Sequence, residues 1–429
     1  METIALLLDG LVIAFQPINL IVIIIGVIIG LFIGAMPGLG SVNGVAILLP
    51  MTFLVPPTSA IIFLAALYYG AMYGGAISSI MLGIPGASTA VATTFDGRPL
   101  ALKGKADKAL ITAAMASFIG GTISVLLFTG FAPMLAQIAL DFGDQEIFAL
   151  MLLAFATFVG LSGDDIPKTI FSICIGLVFS AVGLDIMSGE PRLVFFDIIG
   201  FMHGINFLVL AIGIYGIGEM LWTIESNRGD SAMSQAVISM SGILDSLRDM
   251  RRTWVAWTTG SLLGFFVGIL PAAGATPGSL MAYGVAKMTA KEPDKFGKGE
   301  VAGVVAPESA NNAASTGALL PMLTLGIPGS PTTAILLGGM VIWGLTPGPL
   351  LFVEQKEFVW GLIGSLYVAN LFALLINVAF IPMFLWFLKM PFTILAPIIF
   401  VLSLVGGYAP TQDMHDIWLM LIFGVGAYL

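Results

Sequence analysis

Gly30-Leu31-Phe32-Ile33-Gly34-Ala35-Met36-Pro37-Gly38-Leu39-Gly40 returns later in the same chain as Gly264-Phe265-Phe266-Val267-Gly268-Ile269-Leu270-Pro271-Ala272-Ala273-Gly274. The leading glycines stand at 30 and 264, an offset of 234, and Gly44 and Gly278 keep it. A second motif, Leu82-Gly83-Ile84-Pro85-Gly86, returns as Leu325-Gly326-Ile327-Pro328-Gly329 at an offset of 243, with Thr89 falling on Thr332 and Gly74 on Gly317. The offset grows by 9 because the second half carries a Lys-rich loop between its two motifs. A GxxxG pattern alone often reflects only close helix packing. Two ordered motifs at near-constant offset read as an internal duplication.

The composition says in which solvent this duplication lives. Of 429 residues, 58% are hydrophobic and only 10% charged, and mean hydropathy is +1.04. Ordinary soluble domains carry about 25% charged residues, so a soluble enzyme, a nucleic-acid binder and a disordered chain are excluded. The 86 residues between Asp9 and Asp96 hold no Asp, Glu, Lys or Arg, and further uncharged runs span Ala109–Leu140, Thr253–Ala286, Ser309–Val353 and Phe358–Leu388. A spanning helix needs about 20 apolar residues, whereas barrel strands alternate over about 10. Ile18–Ile33 is apolar without alternation. The expected fold is an all-α polytopic membrane protein with roughly 10–12 membrane segments. The N-terminus carries Glu2 and Asp9 and no basic stretch, so it does not read as a signal peptide. The single cysteine, Cys174, reads as a small buried hydrophobe in an apolar helix.

Twelve of the 16 basic residues fall in three polar loops. They are Arg98, Lys103, Lys105 and Lys108 in Asp96–Lys108; Arg228, Arg248, Arg251 and Arg252 in Glu225–Arg252; and Lys287, Lys291, Lys295 and Lys298 in Lys287–Glu300. The positive-inside rule places all three in the cytoplasm. Asp141, Asp144, Glu146, Asp185, Glu190, Asp197, Glu354 and Glu357 then fall on the other face. Within Ser231–Arg252, Val237, Met240, Ile243, Leu244 and Leu247 recur at helical spacing, which predicts an amphipathic helix at the membrane surface. The expected organisation is a first transmembrane repeat over 1–222, a cytoplasmic linker over 223–253 and a second repeat over 254–429. In the first half the basic loop follows the second motif; in the second half it precedes it. Equivalent positions therefore lie on opposite sides of the bilayer, as in the inverted-topology repeats of many secondary transporters.

Each motif interrupts an apolar run with Pro and Gly. Pro removes a donor and clashes with the preceding turn, and such broken backbone at membrane depth survives only inside protein or along a water-filled cavity. Broken helices or re-entrant hairpins are expected. Polar residues follow each break: Gly38 and Gly40 with Ser41 and Asn43; Gly86 with Ser88 and Thr89; Gly274 with Thr276 and Ser279; Gly329 with Ser330, Thr332 and Thr333. The hydroxyl and amide residues read as helix N-caps, and Ser330-Pro331 is an especially good helix start. Four helix N-termini in the membrane would favour an anion. No Lys, Arg or His lies in the four tips, so backbone amides, hydroxyls and carboxamides would hold it. The plain alternative is four structural kinks.

Glu308 stands in Pro307-Glu308-Ser309-Ala310-Asn311-Asn312 before a long uncharged run. An acid in a membrane helix is costly and marks function by default. With Asn311 and Asn312 it would bind sodium or carry a proton; the competing reading is an interfacial helix cap. Asp164-Asp165 reads as a loop with a cap.

Together Gly30–Gly40, Met81–Ala90, Pro307–Gly317 and Leu323–Ala334 resemble the large membrane subunit of the tripartite tricarboxylate transporter family. The resemblance runs from near residue 20 to the end. It implies a bacterial inner-membrane transporter of elevator-like architecture, a periplasmic solute-binding protein that delivers a small di- or tricarboxylate, a small membrane subunit, and uptake driven by an ion gradient without any cofactor. Family members continue further than Leu429, so the second repeat reads as truncated at its C-terminus. The competing functions are a stand-alone anion transporter or channel and an intramembrane enzyme. The last is disfavoured: His203 and His415 are isolated, Leu161 breaks a G-x-G-D signature at Ser162-Gly163-Asp164, and no phosphate loop of a primary pump occurs.

Overall fold

A computed structural model describes residues 2–36, 39–161, 166–185, 190–194, 198–225, 240–271, 273–387, 392–408 and 412–429. Among them the chain is almost wholly helical, and the only strands are the antiparallel pair Gly183–Leu184 and Pro191–Arg192. In chain order the first helices are α1 (Glu2–Ala14), α2 (Pro17–Ala35), α3 (Gly40–Leu48), α4 (Pro57–Met81), α5 (Val91–Leu102) and α6 (Ala106–Leu140). Next come α7 (Asp144–Leu161), α8 (Ile166–Ser180), α9 (Phe207–Ala211), α10 (Glu219–Glu225) and α11 (Met240–Arg252). The remainder are α12 (Trp254–Ile269), α13 (Ala275–Thr289), α14 (Ala302–Leu325), α15 (Pro331–Ile342), α16 (Leu351–Glu354), α17 (Lys356–Ala379), α18 (Ile381–Phe387), α19 (Phe392–Tyr408) and α20 (Met414–Tyr428). Of the described helices α2, α4, α6 and α17 are long and apolar enough to cross a membrane, and shorter apolar helices accompany them. The chain is a multi-pass, all-α membrane protein.

The helices form two compact units. The larger comprises Met1–Val45, Thr52–Gln145 and Arg228–Pro391. Its centre is α14, every residue of which from Gly303 to Thr324 is buried. That sequence is rich in Ser, Thr and Asn, so lipid would solvate it poorly; α4, α5, α6, α12 and α13 pack around it instead. Glycine makes several crossings close, two of them equivalent in the two halves. A Cβ on Gly34 of α2 would collide with the Ala71 carbonyl oxygen of α4, and one on Gly268 of α12 with the Ala314 carbonyl oxygen of α14. Gly34 and Gly268 are equivalent at the offset of 234, and Ala71 and Ala314 at 243. The repeat is therefore present in the packing as well as in the letters. Such close approach lets backbones contact directly, the usual way helices associate where lipid removes the hydrophobic driving force.

The three basic segments gather at one end of this unit. Lys103 Nζ donates to the Lys298 carbonyl at 2.5 Å, and Lys108 pairs with Asp249 of α11 at 2.5 Å. Asp96, read in the sequence as the start of a solvated loop, is instead fully buried inside α5. It accepts from the Gly299 and Glu300 amides at 2.7 Å each and from the Gly297 amide at 3.0 Å. The expected amphipathic helix is present over Met240–Arg252; residues 231–239 lie outside the described ones. Its inward face is Ser246, Asp249 and Met250, while Leu244 and Leu247 point outward beside Arg248, Arg251 and Arg252. The polar contacts to α6 decide that orientation and leave the leucines for the membrane surface.

The second unit comprises Ala46–Met51, Glu146–Asn227 and Phe392–Leu429. In it a π-helical turn at Ile212–Gly218 packs on α20, where a Cβ on Gly213 would lie 2.6 Å from the Met420 carbonyl oxygen. Cys174 corrects the expectation of burial: it is exposed, and none of α8's described side chains is buried. A helix facing lipid keeps its apolar side chains outward, so apolar character there does not mean burial. Asp164 and Asp165 lie outside the described residues.

The glycine crossings give a stability prediction. Gly268→Val should cost about 3 kcal/mol through overpacking, read as a lowered midpoint of thermal unfolding in detergent. Gly284, with nothing within 4 Å of a Cβ, should accept Ala within about 0.5 kcal/mol.

Candidate functional site

The breaks are built alike in both halves. Gly40 and Gly274 adopt φ of 61° and 62°, and Gly83 and Gly326 adopt 73° and 71°. These left-handed conformations are strained for a side chain and natural for glycine. Pro37 and Gly38 lie outside the described residues. Gly86 and Gly329 seat on the glycines of the crossings: a Cβ on either would collide with a carbonyl oxygen, that of Gly34 in the first half and that of Gly268 in the second. The second tip of each half thus folds back onto its first broken helix.

The larger unit brings the four tips together across the two halves. Ser41 Oγ and Thr332 Oγ1 share a hydrogen bond of 2.9 Å, and Ser88 Oγ and Thr276 Oγ1 one of 3.0 Å. Ser279 Oγ donates to the Thr89 carbonyl at 2.9 Å, and the Gly274 amide donates to the Gly329 carbonyl at 3.0 Å. Ser41, Asn43, Ser279, Ser330, Thr332 and Thr333 are buried, whereas Ser88 is exposed. Tyr68 of α4 reaches Ser330 Oγ at 3.4 Å; no signal in the sequence singled it out from an apolar helix.

The capping expectation is met at the Ser330 tip. Ser330 caps α15 in a full capping box, its Oγ accepting from the Thr333 amide and its own amide donating to Thr333 Oγ1. At the Ser88 and Thr276 tips the cap positions are Ala87 and Gly274, which carry no capping side chain, so Ser88 and Thr276 sit inside the turn. Their hydroxyls bond each other across the two halves instead. Arg98 amends the reading of the tips as uncharged: its side chain lies against Gly83 and Nη1 donates to the Met81 carbonyl, at the negative end of α4.

Glu308 is fully buried in the interior of α14, which removes the interfacial-cap reading. Thr93 of α5 donates to its Oε1 at 2.5 Å and Ser117 of α6 to its Oε2 at 3.0 Å. Among the described residues no Lys, Arg or His pairs with it. Each hydrogen bond to a charged group contributes about 1.5–3 kcal/mol, against several kcal/mol for desolvating the ion. Asn311 and Asn312 do not join this cluster. Asn311 Nδ2 donates to the Met72 carbonyl at 3.3 Å and Asn312 Nδ2 to the Glu308 carbonyl at 3.2 Å. Both carboxamide oxygens are buried without a hydrogen-bond partner among the described residues. Thr93 and Ser117 were missed in the sequence, because contacts between helices leave no local spacing.

The tip geometry predicts a cross-link. In a Cys174→Ser background, Ser88→Cys with Thr276→Cys should form a disulfide under mild oxidant, read as loss of two free thiols by mass spectrometry. Two thiols that stay free would separate these tips.

Known proteins place this architecture. The model of the tripartite tricarboxylate transporter TctA family matches residues 20–429. An uncharacterized 52.8 kDa protein of Agrobacterium vitis, from the TAR-I ttuC' 3' region, is 35% identical over 429 residues, covering 100% of this chain and 85% of the relative. A second uncharacterized Agrobacterium vitis protein, from the TAR-II ttuC' 3' region, is 35% identical over 166 residues, 39% of this chain and 69% of the relative. No solved structure matches. The duplicated motifs, their meeting in one unit and the match over nearly the whole chain identify this protein as a member of the tripartite tricarboxylate transporter TctA family.

Proposed function

We propose that the chain forms the transport path for small di- or tricarboxylates across the bacterial inner membrane, with uptake driven by an ion gradient. A periplasmic solute-binding protein delivers the substrate, and a small membrane subunit completes the complex. The observation that carries this reading is the pairing of tips from opposite halves, Ser41 with Thr332 and Ser88 with Thr276. Hydroxyls and helix N-terminal amides converge there, and both suit a carboxylate. A substrate oxygen would replace one hydroxyl partner in each pair, so binding exchanges hydrogen bonds rather than leaving donors unmet.

The two repeats insert with opposite topology in this reading. Supporting it, α4 and α14 pass each other in opposite directions: Tyr69 bonds Thr316, while Met72, further along α4, accepts from the earlier Asn311. Tips that close on a shared centre from opposite sides suit alternating access around a midplane site, and an elevator-like displacement of the tips with α14 would carry the substrate across. Glu308 takes the coupling charge, as a proton or in partnership with sodium; Asn311 and Asn312 offer further oxygen ligands.

Proteoliposomes test this. Uptake of a labelled carboxylate should require both an ion gradient and added binding protein. Ser41→Ala with Thr332→Ala should lower uptake about tenfold or more, the cost of about 1.4 kcal/mol or above, with the protein still inserted. Glu308→Gln should alter the ion titration. Uptake without a binding protein would support the stand-alone transporter, and unchanged kinetics in the double variant would remove those hydroxyls from the site.

A further inference from the structure

The surface helix α11 presents one face that the described residues of the larger unit leave uncovered. Leu244, Leu247, Arg248 and Arg251 stand at i, i+3, i+4 and i+7, so they share that face, and all four are exposed. Arg252 beside them is exposed too, as are Trp254 and Val255 at the start of α12. The opposite face is fixed. Asp249 pairs with Lys108 of α6, Thr112 of α6 donates to Ser246 Oγ at 3.2 Å, and Trp257 Nε1 of α12 donates to the Met250 carbonyl at 2.9 Å. These polar contacts set the rotation of α11 about its axis and hold its leucines and arginines outward together.

The level of this face follows from the chain itself. α12 is an apolar helix that begins at Trp254, and tryptophan is enriched where headgroups meet hydrocarbon. Arg251 and Arg252 precede Trp254 by three and two residues, which puts their guanidinium groups at the depth of the lipid phosphates. The exposed Asp245 pairs with Arg248 at 3.5 Å. Among the described residues Arg251 and Arg252 pair with no carboxylate. Both also suit the negative end of the α11 dipole, but the dipole gives no reason for two leucines to share their side of the helix.

We propose that this face is a binding site for an anionic phospholipid. Leu244 and Leu247 enter the boundary between headgroups and acyl chains, and Arg251 and Arg252 hold the lipid phosphate. A guanidinium offers two parallel hydrogen bonds to phosphate oxygens, and the net charge of the headgroup separates this ligand from zwitterionic lipid. Each arginine at an anionic surface strengthens binding about fivefold. Because α11 is tied to α6, and α6 packs on α14, an occupied site steadies the larger unit. The inference does not depend on what the transport path carries.

The test titrates the full chain, purified in detergent, with dioleoyl phosphatidylglycerol, with dioleoyl phosphatidylcholine and with inorganic phosphate. The first lipid bound is followed by native mass spectrometry, and the unfolding midpoint is read alongside. Phosphatidylglycerol should bind about tenfold tighter than phosphatidylcholine and raise the midpoint; inorganic phosphate should not raise it. Arg251→Gln with Arg252→Gln should weaken phosphatidylglycerol about tenfold or more and leave phosphatidylcholine unchanged. Arg251→Lys with Arg252→Lys keeps the charge and should lose no more than about threefold. Equal affinity for the two lipids, or unmodified phosphatidylglycerol binding in the double Gln variant, overturns the inference. A midpoint raised equally by inorganic phosphate also overturns it, in favour of a free-anion site. The competing occupant is the small membrane subunit. Leu247→Cys, labelled with bimane in a Cys174→Ser background and placed in nanodiscs, should be quenched by phosphatidylglycerol brominated on its acyl chains, equally with and without that subunit. Quenching that the subunit abolishes assigns the face to protein and overturns the inference.

Discussion

Direct backbone contact through glycine is the constraint on which the larger unit depends. In lipid, a broken helix exposes amides and carbonyls that nothing outside can satisfy. Gly34 and Gly268 let each broken helix lie against its neighbour closely enough that the second tip of each half, at Gly86 or Gly329, seats on the same spot. The interrupted backbone is thereby sealed inside protein at both sites. The tips of the two halves also pair with each other.

The same constraint explains why the most polar helix is the innermost. α14 carries Glu308, Asn311, Asn312, Ser315 and Thr316, and all are fully buried. The surrounding apolar helices replace water as its solvent, and their sparse hydroxyls become its hydrogen-bond partners. Tyr69 and Ser124 meet Thr316, and Thr93 and Ser117 meet Glu308. The carboxylate of Glu308 is held by hydroxyls rather than by a guanidinium.

Much of this was legible in the letters because the relevant signals are local. Pro-Gly breaks, the glycine spacing at 30 and 34, and the Ser330-Pro331 start each act over a few residues. Tip pairing was legible only as a set of candidate positions. Ser88 and Thr276 look like caps in sequence, yet their hydroxyls bond each other across 188 positions. Asp96 shows the converse failure. Beside Arg98 and Lys103 it resembled a solvated loop, but four donors, three of them loop amides, take it into the interior.

By itself the sequence determined that this chain lives in lipid, that it is duplicated, and where its helices break, since hydropathy, repetition and the steric limits of Pro and Gly are properties of short stretches. Only the tertiary structure decided which hydroxyls face each other and that Thr93 and Ser117 hold Glu308. Those facts depend on which helix faces lie together, and that is settled by packing between segments hundreds of residues apart.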